Sequence, residues 1–167
     1  MGPDVEPVTA AGALRILRAT PGDITAVRGL LREYADWLGV DLCVPNFEAE
    51  LARLPGEYAP PDGGLLLARR GAEAAGCVAL RRIEPGICEM KRLCVRPAFR
   101  GSGLGRSLTE KILTTAAARG HRVIRLDTLP AMRPAIALYR SLGFREIPAY
   151  GENPPSALCF ERPLTET

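Results

Sequence analysis

Eighteen consecutive residues, Glu89 to Arg106, carry most of the chemistry this sequence offers. They run Glu89-Met90-Lys91-Arg92-Leu93-Cys94-Val95-Arg96-Pro97-Ala98-Phe99-Arg100-Gly101-Ser102-Gly103-Leu104-Gly105-Arg106. An apolar-rich stretch meets a proline, and three glycines at alternate positions then open onto Leu104, Leu108, Ile112 and Ala116 at helical spacing. Glycine permits positive φ and has no Cβ to hold a ligand away. A loop of this kind entering a helix turns successive main-chain amides outward, where they bind phosphate oxygens. The helix dipole adds only about 0.3–1 kcal/mol at an exposed end. Affinity must therefore come from several direct amide bonds and from Arg100 or Arg106 beside them. Two nucleotide loops fail on spacing. The dinucleotide fingerprint needs G-x-G-x-x-G, and Arg106 stands where its third glycine would fall. The P-loop needs Gly-Lys-Ser/Thr, and no glycine here precedes a lysine.

The spacing Arg100-x-x-Gly103-x-Gly105 after Val95-Arg96-Pro97 resembles the cofactor loop of the GNAT superfamily, the acetyl-CoA-dependent N-acetyltransferases. Downstream, Ala135-Ile136-Ala137-Leu138-Tyr139-Arg140-Ser141-Leu142-Gly143-Phe144 resembles the family's late helix, which ends in Leu-Tyr-x-x-x-Gly-Phe. The order of elements agrees over residues 13 to about 162. The resemblance implies an α/β domain with a mixed, mostly antiparallel central sheet, a parallel splayed pair and helices on both faces. It also implies acetyl-CoA as co-substrate, no metal, and a primary amine of a small molecule or peptide as acceptor. Met132 stands where family members often carry an asparagine, so no cofactor contact is assigned to it.

An amine attacks a thioester only as the free base, and a primary amine with a pKa near 10 needs a proton acceptor. By the resemblance Glu89 is the general base; a strand residue paired with Lys91 or Arg92 is the alternative. Leu93, Cys94 and Val95 would offer main-chain groups to the pantetheine arm, one amide donating to the thioester oxygen, a contact worth a few kcal/mol. The apolar positions Met90, Leu93 and Val95 break strict alternation, as a bulge that redirects those amides would. Arg100, Gly101, Ser102, Gly103, Leu104, Gly105 and Arg106 would wrap the diphosphate. Tyr139 is the candidate acid for the departing thiolate, or else packs under the sheet with its hydroxyl bonded. Cys94, near Lys91, Arg92 and Arg96, could take the acetyl group covalently; a small buried core thiol is the simpler reading. Lys91 and Arg92 beside Glu89 would suit an acceptor bearing a carboxylate, such as an amino acid or small peptide; a solvated basic strand end is the simpler reading. A catalytically silent acyl-CoA-binding module is the competing function.

The elements that must position these groups are marked by proline and glycine punctuation. Leu14–Arg18 suits a first strand. Thr20-Pro21-Gly22-Asp23 forms a capping-box start, followed by a helix with Ile24, Val27, Leu30, Leu31, Tyr34 and Leu38 on one stripe. A short helix runs from Phe47 to Leu54, and a loop from Pro55 to Gly64. Strands are expected at Leu65–Arg69, Ala75–Ile83 and Ile87–Val95, joined by hairpin turns at Gly71 and Pro85-Gly86. After the glycine loop come a helix to about Arg119, a strand at Val123–Leu126, a helix over Ala131–Leu142 and a strand at Leu158–Glu161. Trp37 and Tyr34 are expected in the core, although the resemblance implies that their helix borders the acceptor pocket and that one of them could line it; His121 is expected at the surface. Tyr150, Glu152 and Asn153 are polar candidates for the acceptor side.

Composition bounds the rest. At 167 residues, one domain over residues 13–167 behind a flexible tail of residues 1–12 is expected. The 22 basic and 19 acidic side chains leave +3, with arginines spread along the chain, which argues against a nucleic-acid partner. No apolar run approaches the roughly 20 residues needed to cross a bilayer. Five cysteines (Cys43, Cys77, Cys88, Cys94, Cys159) without a CxxC pair argue for reduced thiols and a cytoplasmic setting. A single histidine leaves no His-based metal site. A homodimer through shared late strands is compatible with the implied fold.

Overall fold

A computed structural model describes residues 13–38 and 47–164. The tail of residues 1–12 and Cys43 lie outside the described residues. Strand β1 (Leu14–Arg18) leads through a 3-10 turn at Pro21–Asp23 into helix α1 (Ile24–Leu38). The Asp23 carboxylate reaches back to accept from the Thr20 amide at 2.8 Å, so the chain turns where the capping pattern predicts. Helix α2 (Phe47–Arg53) and a 3-10 turn at Gly56–Tyr58 precede β2 (Gly64–Arg70), β3 (Glu73–Glu84) and β4 (Ile87–Val95). Then follow α3 (Leu104–Ala118), β5 (Val123–Thr128), α4 (Arg133–Ser141), β6 (Arg145–Ile147) and β7 (Leu158–Pro163).

The seven strands form one sheet in the order β1-β2-β3-β4-β5-β7-β6. Every pairing is antiparallel except β4 with β5. Alternate strand residues feed two cores. On one face Val78, Leu80, Cys88 and Met90 pack with Leu104, Leu108 and Ile112 of α3 and with Tyr139 of α4. On the other, Leu65, Leu67, Cys77, Ala79 and Cys94 pack with Val27, Leu30 and Leu31 of α1 and Leu51 of α2. Each of the leucine, isoleucine, valine and methionine side chains among these contributes about 1.5–3 kcal/mol by leaving water. No helix among the described residues is long and apolar enough to cross a membrane, and no cluster of His, Cys, Asp and Glu among them could hold a metal ion.

Three elements depart from expectation. Strand β6 is not marked in the sequence: three residues are too few to show alternation, and it exists because Arg145 and Ile147 pair with Glu161 and Cys159 of β7. His121 is not at the surface. Gly120, at φ +91°, ends α3 and turns the chain back, which leaves the imidazole 5% exposed with Nε2 2.9 Å from the Asp62 carbonyl oxygen. Trp37 is not in the core; it is 53% exposed on α1.

Candidate active site

Strands β4 and β5 pair only at Ile87↔Val123, Cys88↔Ile124 and Glu89↔Arg125. Beyond that point β5 continues with β7 as far as Thr128, while β4 continues with β3 alone. The two strands part into a V. A cleft of about 630 Å³ fills it, lined by Met90 to Leu93 of β4, Leu126 to Leu129 at the end of β5, Tyr34 of α1, Tyr139 of α4, Met132 and the loop from Glu152 to Ala157.

A bulge shapes the β4 arm. Cys77 faces Cys94 and Ala79 faces Lys91, so Arg92 and Leu93 together oppose Val78. Arg92 takes φ +60°, the one non-glycine with positive φ among the described residues. That conformation costs about 1–2 kcal/mol. It is offset by a bidentate grip on Glu50 of α2, with Nη2 and Nε donating at 2.7 and 2.9 Å, while the Tyr58 hydroxyl donates to the same carboxylate at 2.7 Å. Arg92 is thus committed to Glu50 and not to Glu89, and it is not free for an acceptor carboxylate. Burial alone would raise the Glu50 carboxyl, but the Arg92 guanidinium outweighs it and holds the group below the ordinary carboxylate range. An unfolded glutamate titrates near about 4.3. Stability from this pair is therefore complete above that pH and drains away as pH falls through the lower folded value. We expect Glu50→Gln to cost about 2–4 kcal/mol at pH 7 and to flatten the acid limb of a melting-temperature profile; an unchanged profile would refute the assignment.

The glycine loop follows a 3-10 turn at Pro97–Phe99. Gly101 and Gly103 stand at φ +80° and +87°, with nothing within 4 Å of where a Cβ would sit. The first amide to close a main-chain bond into the helix is that of Ser107, donating to the Gly103 carbonyl at 3.0 Å; the amides of residues 101 to 106 meet no main-chain acceptor among the described residues. This row of free donors at a helix N-terminus fits the diphosphate of coenzyme A. Leu104 anchors the turn from below, fully in the core. Ser102 caps its own turn by donating to Phe99 O, and Gly105 brings α3 close to Leu138 of α4. Arg100 folds back along β4: Nε donates to Val95 O at 3.2 Å and the guanidinium lies 4.1 Å from the Trp37 ring centroid. Arg106 points the other way, donating to Ser141 Oγ at 2.7 Å.

Among the remaining expected residues, Tyr139 lines the cleft with its ring buried edge-on against Phe144, 5.7 Å between centroids. Burial first, and then the neighbouring Tyr34 and Asp127, raise its phenol above the usual range, so it rests protonated. Leu93 lines the cleft and Val95 stands beside it on the free edge. Cys94 turns inward, its sulfur 3.7 Å from Cys77 Sγ and 3.9 Å from Leu30 O. That placement fits the buried thiol and not an acyl carrier. Glu89 lies at the apex of the V, 2% exposed. Its partners are Arg81, whose Nε donates to Oε1 at 2.8 Å, and Tyr150, whose hydroxyl donates to Oε2; Lys91 and Arg92 take no part. Sequence reasoning missed Arg81, Glu50 and Asp127; of the two α1 aromatics offered for the acceptor pocket, Tyr34 is the one that lines the cleft. Asp127 accepts from Asn153 Nδ2 at 2.7 Å, which pins the Tyr150–Ala157 loop to β5. Arg81 lies directly opposite Glu89 in the β3–β4 hairpin; an uninterrupted count from the turn would instead have named Arg82.

Residues 27–144 match the profile of the Acetyltransferase (GNAT) family. An N-acetyltransferase of Schizosaccharomyces pombe is 41% identical over 144 residues, covering 85% of this chain and 88% of that protein. The fold superposes on a GNAT-family acetyltransferase of Staphylococcus aureus with a TM-score of 0.78 at 20% identity, covering 92% of this chain and all of the other. It also superposes on PaiA N-acetyltransferase from Thermoplasma acidophilum, solved in complex with coenzyme A, with a TM-score of 0.74 at 17% identity over 90% of this chain and 99% of that one. The splayed strand pair, the glycine turn with its free amides and the extent of these matches converge on one conclusion: the chain belongs to the acetyltransferase (GNAT) family.

Proposed function

We propose that this protein transfers the acetyl group of acetyl-CoA to a primary amine of a small molecule or peptide by direct attack. The observation that carries the reading is the juxtaposition of free loop amides, an unpaired β4 edge and a cleft lined by Tyr139 at one end of the sheet. Coenzyme A bound to PaiA from Thermoplasma acidophilum supports the ligand class.

Acetyl-CoA supplies an activated acyl carbon and a thiolate leaving group. The protein does the rest. Amides of residues 101 to 106 bind the diphosphate oxygens, and Arg100, released from Trp37, adds charge. The β5-facing edge of β4 from Leu93 to Val95, which no strand pairs, holds the pantetheine arm as a neighbouring strand would and donates to the thioester oxygen. Glu89 receives the amine proton, and Tyr139 gives its own to the departing sulfur.

The test is thiol release from acetyl-CoA against a broad panel of primary amines, run beside calorimetry of coenzyme A binding. Turnover on at least one amine is the expected result. Coenzyme A binding without turnover would make the protein a silent acyl-CoA-binding module, and no binding would overturn both readings. Trp37 is the chain's single tryptophan, so its emission should shift as coenzyme A draws Arg100 away. Arg100→Ala should abolish that shift and weaken binding about tenfold, as expected on losing one charge-assisted contact.

A further inference from the structure

Register sets two opposite charges at one level of the cleft. Glu89↔Arg125 is the last rung of the β4–β5 pair. Carrying that register two residues further along each strand brings Lys91 level with Asp127. Both rise from the same face of the sheet. Ala79, which faces Lys91 from β3, belongs to the core under α1 and α2, and directly facing residues of an antiparallel pair share a face. Leu126 packs into the opposite core, so Asp127 beside it turns toward α1 and α2 as well. In an unbroken sheet the two strands would lie about 4.8 Å apart at this level, and the charges would pair. Here the strands part, and no ion pair joins the two.

Lys91 is neither a strand end nor a solvated side chain. It stands in the middle of β4, half-buried, and lines the cleft together with Asp127. The carboxylates about it are spent: Glu89 accepts from Arg81 and Tyr150, and Glu50 accepts from Arg92 and Tyr58. No described residue pairs with the Lys91 ammonium. Across the cleft, Asp127 gives one oxygen to Asn153, and its other oxygen meets no described donor. Tyr34 of α1 and Phe47 of α2 line the same space and displace water from it, which strengthens both charges. A half-buried charge without a partner is costly. Two of opposite sign, held apart on the arms of one V, suit a ligand that carries both signs itself.

Resting on the acetyltransferase reading above, we propose that the acceptor is a zwitterion, an amino acid or small peptide, whose carboxylate binds Lys91 and whose ammonium binds Asp127 before losing its proton. Arg92, already gripped by Glu50, takes no part. Glu152, exposed on the loop that closes the β5 side of the cleft, adds negative charge there and directs the ammonium to that arm and the carboxylate to the other.

The experiment sets amino acids against their own amides, which keep the amine and lose the carboxylate. It uses wild type, Lys91→Met and Asp127→Asn, with calorimetry of the same compounds on the coenzyme A-loaded protein. Wild type should turn over at least one amino acid with a KM about tenfold or more below that of its amide, as expected for one charge-assisted contact. Lys91→Met keeps the stem and loses the charge, and should bring the KM for the amino acid up to that for the amide. Asp127→Asn keeps an acceptor for Asn153 and should raise both. An amide bound as well as its amino acid by wild type, or a preference that survives Lys91→Met, would overturn the proposal and leave the acetyltransferase reading standing. Asp127→Asn with both KM values unchanged would overturn the ammonium contact alone. If no amine of the wider panel is turned over, amino-acid binding that Lys91→Met abolishes would sustain the zwitterion site while the acetyltransferase reading falls. Absence of that binding as well would overturn both.

Discussion

Glu89→Gln should lower kcat about 10²–10⁴-fold, the range over which a positioned general base acts, with coenzyme A affinity unchanged. The substitution is isosteric and keeps one oxygen acceptor for Arg81, while its NH2 faces the Tyr150 oxygen, which can accept in its turn. It removes the negative charge that can store a proton. Because Glu89 sits on the paired part of β4, below the point where the strands part, its loss leaves the cofactor edge and the glycine loop intact. The effect should therefore appear in kcat and not in the KM for acetyl-CoA. A rise in that KM with kcat preserved would show that Glu89 only braces the sheet. The Arg81 guanidinium faces a neutral partner under either outcome, so it is the split between kcat and KM, and not the melting temperature, that separates them.

Gly76→Ala should be the most damaging single methyl in the sheet. A Cβ there would lie 2.5 Å from the Cys94 carbonyl oxygen and 3.3 Å from the Val95 Cα, with Leu108 at 3.4 Å. The first two are main-chain atoms and yield only if β4 moves. Overpacking of this kind costs about 2–3 kcal/mol, a fall of roughly 4–12 °C in Tm for a domain of this size. Gly76 pairs with Val95, so the displaced stretch is the one assigned to the thioester, and coenzyme A binding should weaken in parallel. Gly29, in α1 with nothing within 4 Å of its Cβ position, gives the contrast. Its replacement by alanine should stabilise by up to about 1 kcal/mol. A Gly76→Ala protein with wild-type Tm and affinity would mean the edge is free to slide.

The parts of this fold that were legible in the sequence are those written locally. Helix α1 announces itself by a capping box and an apolar stripe, and β4 begins and ends at Ile87 and Val95 as its turn residues indicate. The glycine loop is legible because its Arg100-x-x-Gly103-x-Gly105 spacing is followed, in the right order, by the Leu138-Tyr139-x-x-x-Gly143-Phe144 helix end. What depends on register is not. Counting back from the Pro85-Gly86 turn without interruption puts Arg82 across from Glu89, but the irregularity between Arg82 and Glu84 moves Arg81 there instead. The grip of Arg92 on Glu50 joins residues 42 apart in sequence and depends on a positive φ that no arginine advertises. Trp37 misled for another reason: at helical spacing a large aromatic reads as core, yet near the end of α1 it stacks on Tyr34 and under the Arg100 guanidinium and stays half exposed.

The brevity of the β4–β5 ladder has a mechanical consequence. Four strands on one side and three on the other are stitched together by three facing residue pairs, so the seam is where thermal breathing should begin. A guest lying along the loose flank of β4 would act as the missing rungs, fastening one half-sheet to the other. The protein should therefore stiffen at its weakest join whenever it is loaded, with slower amide exchange at Cys88 and Ile124 as the sign of a closed zipper.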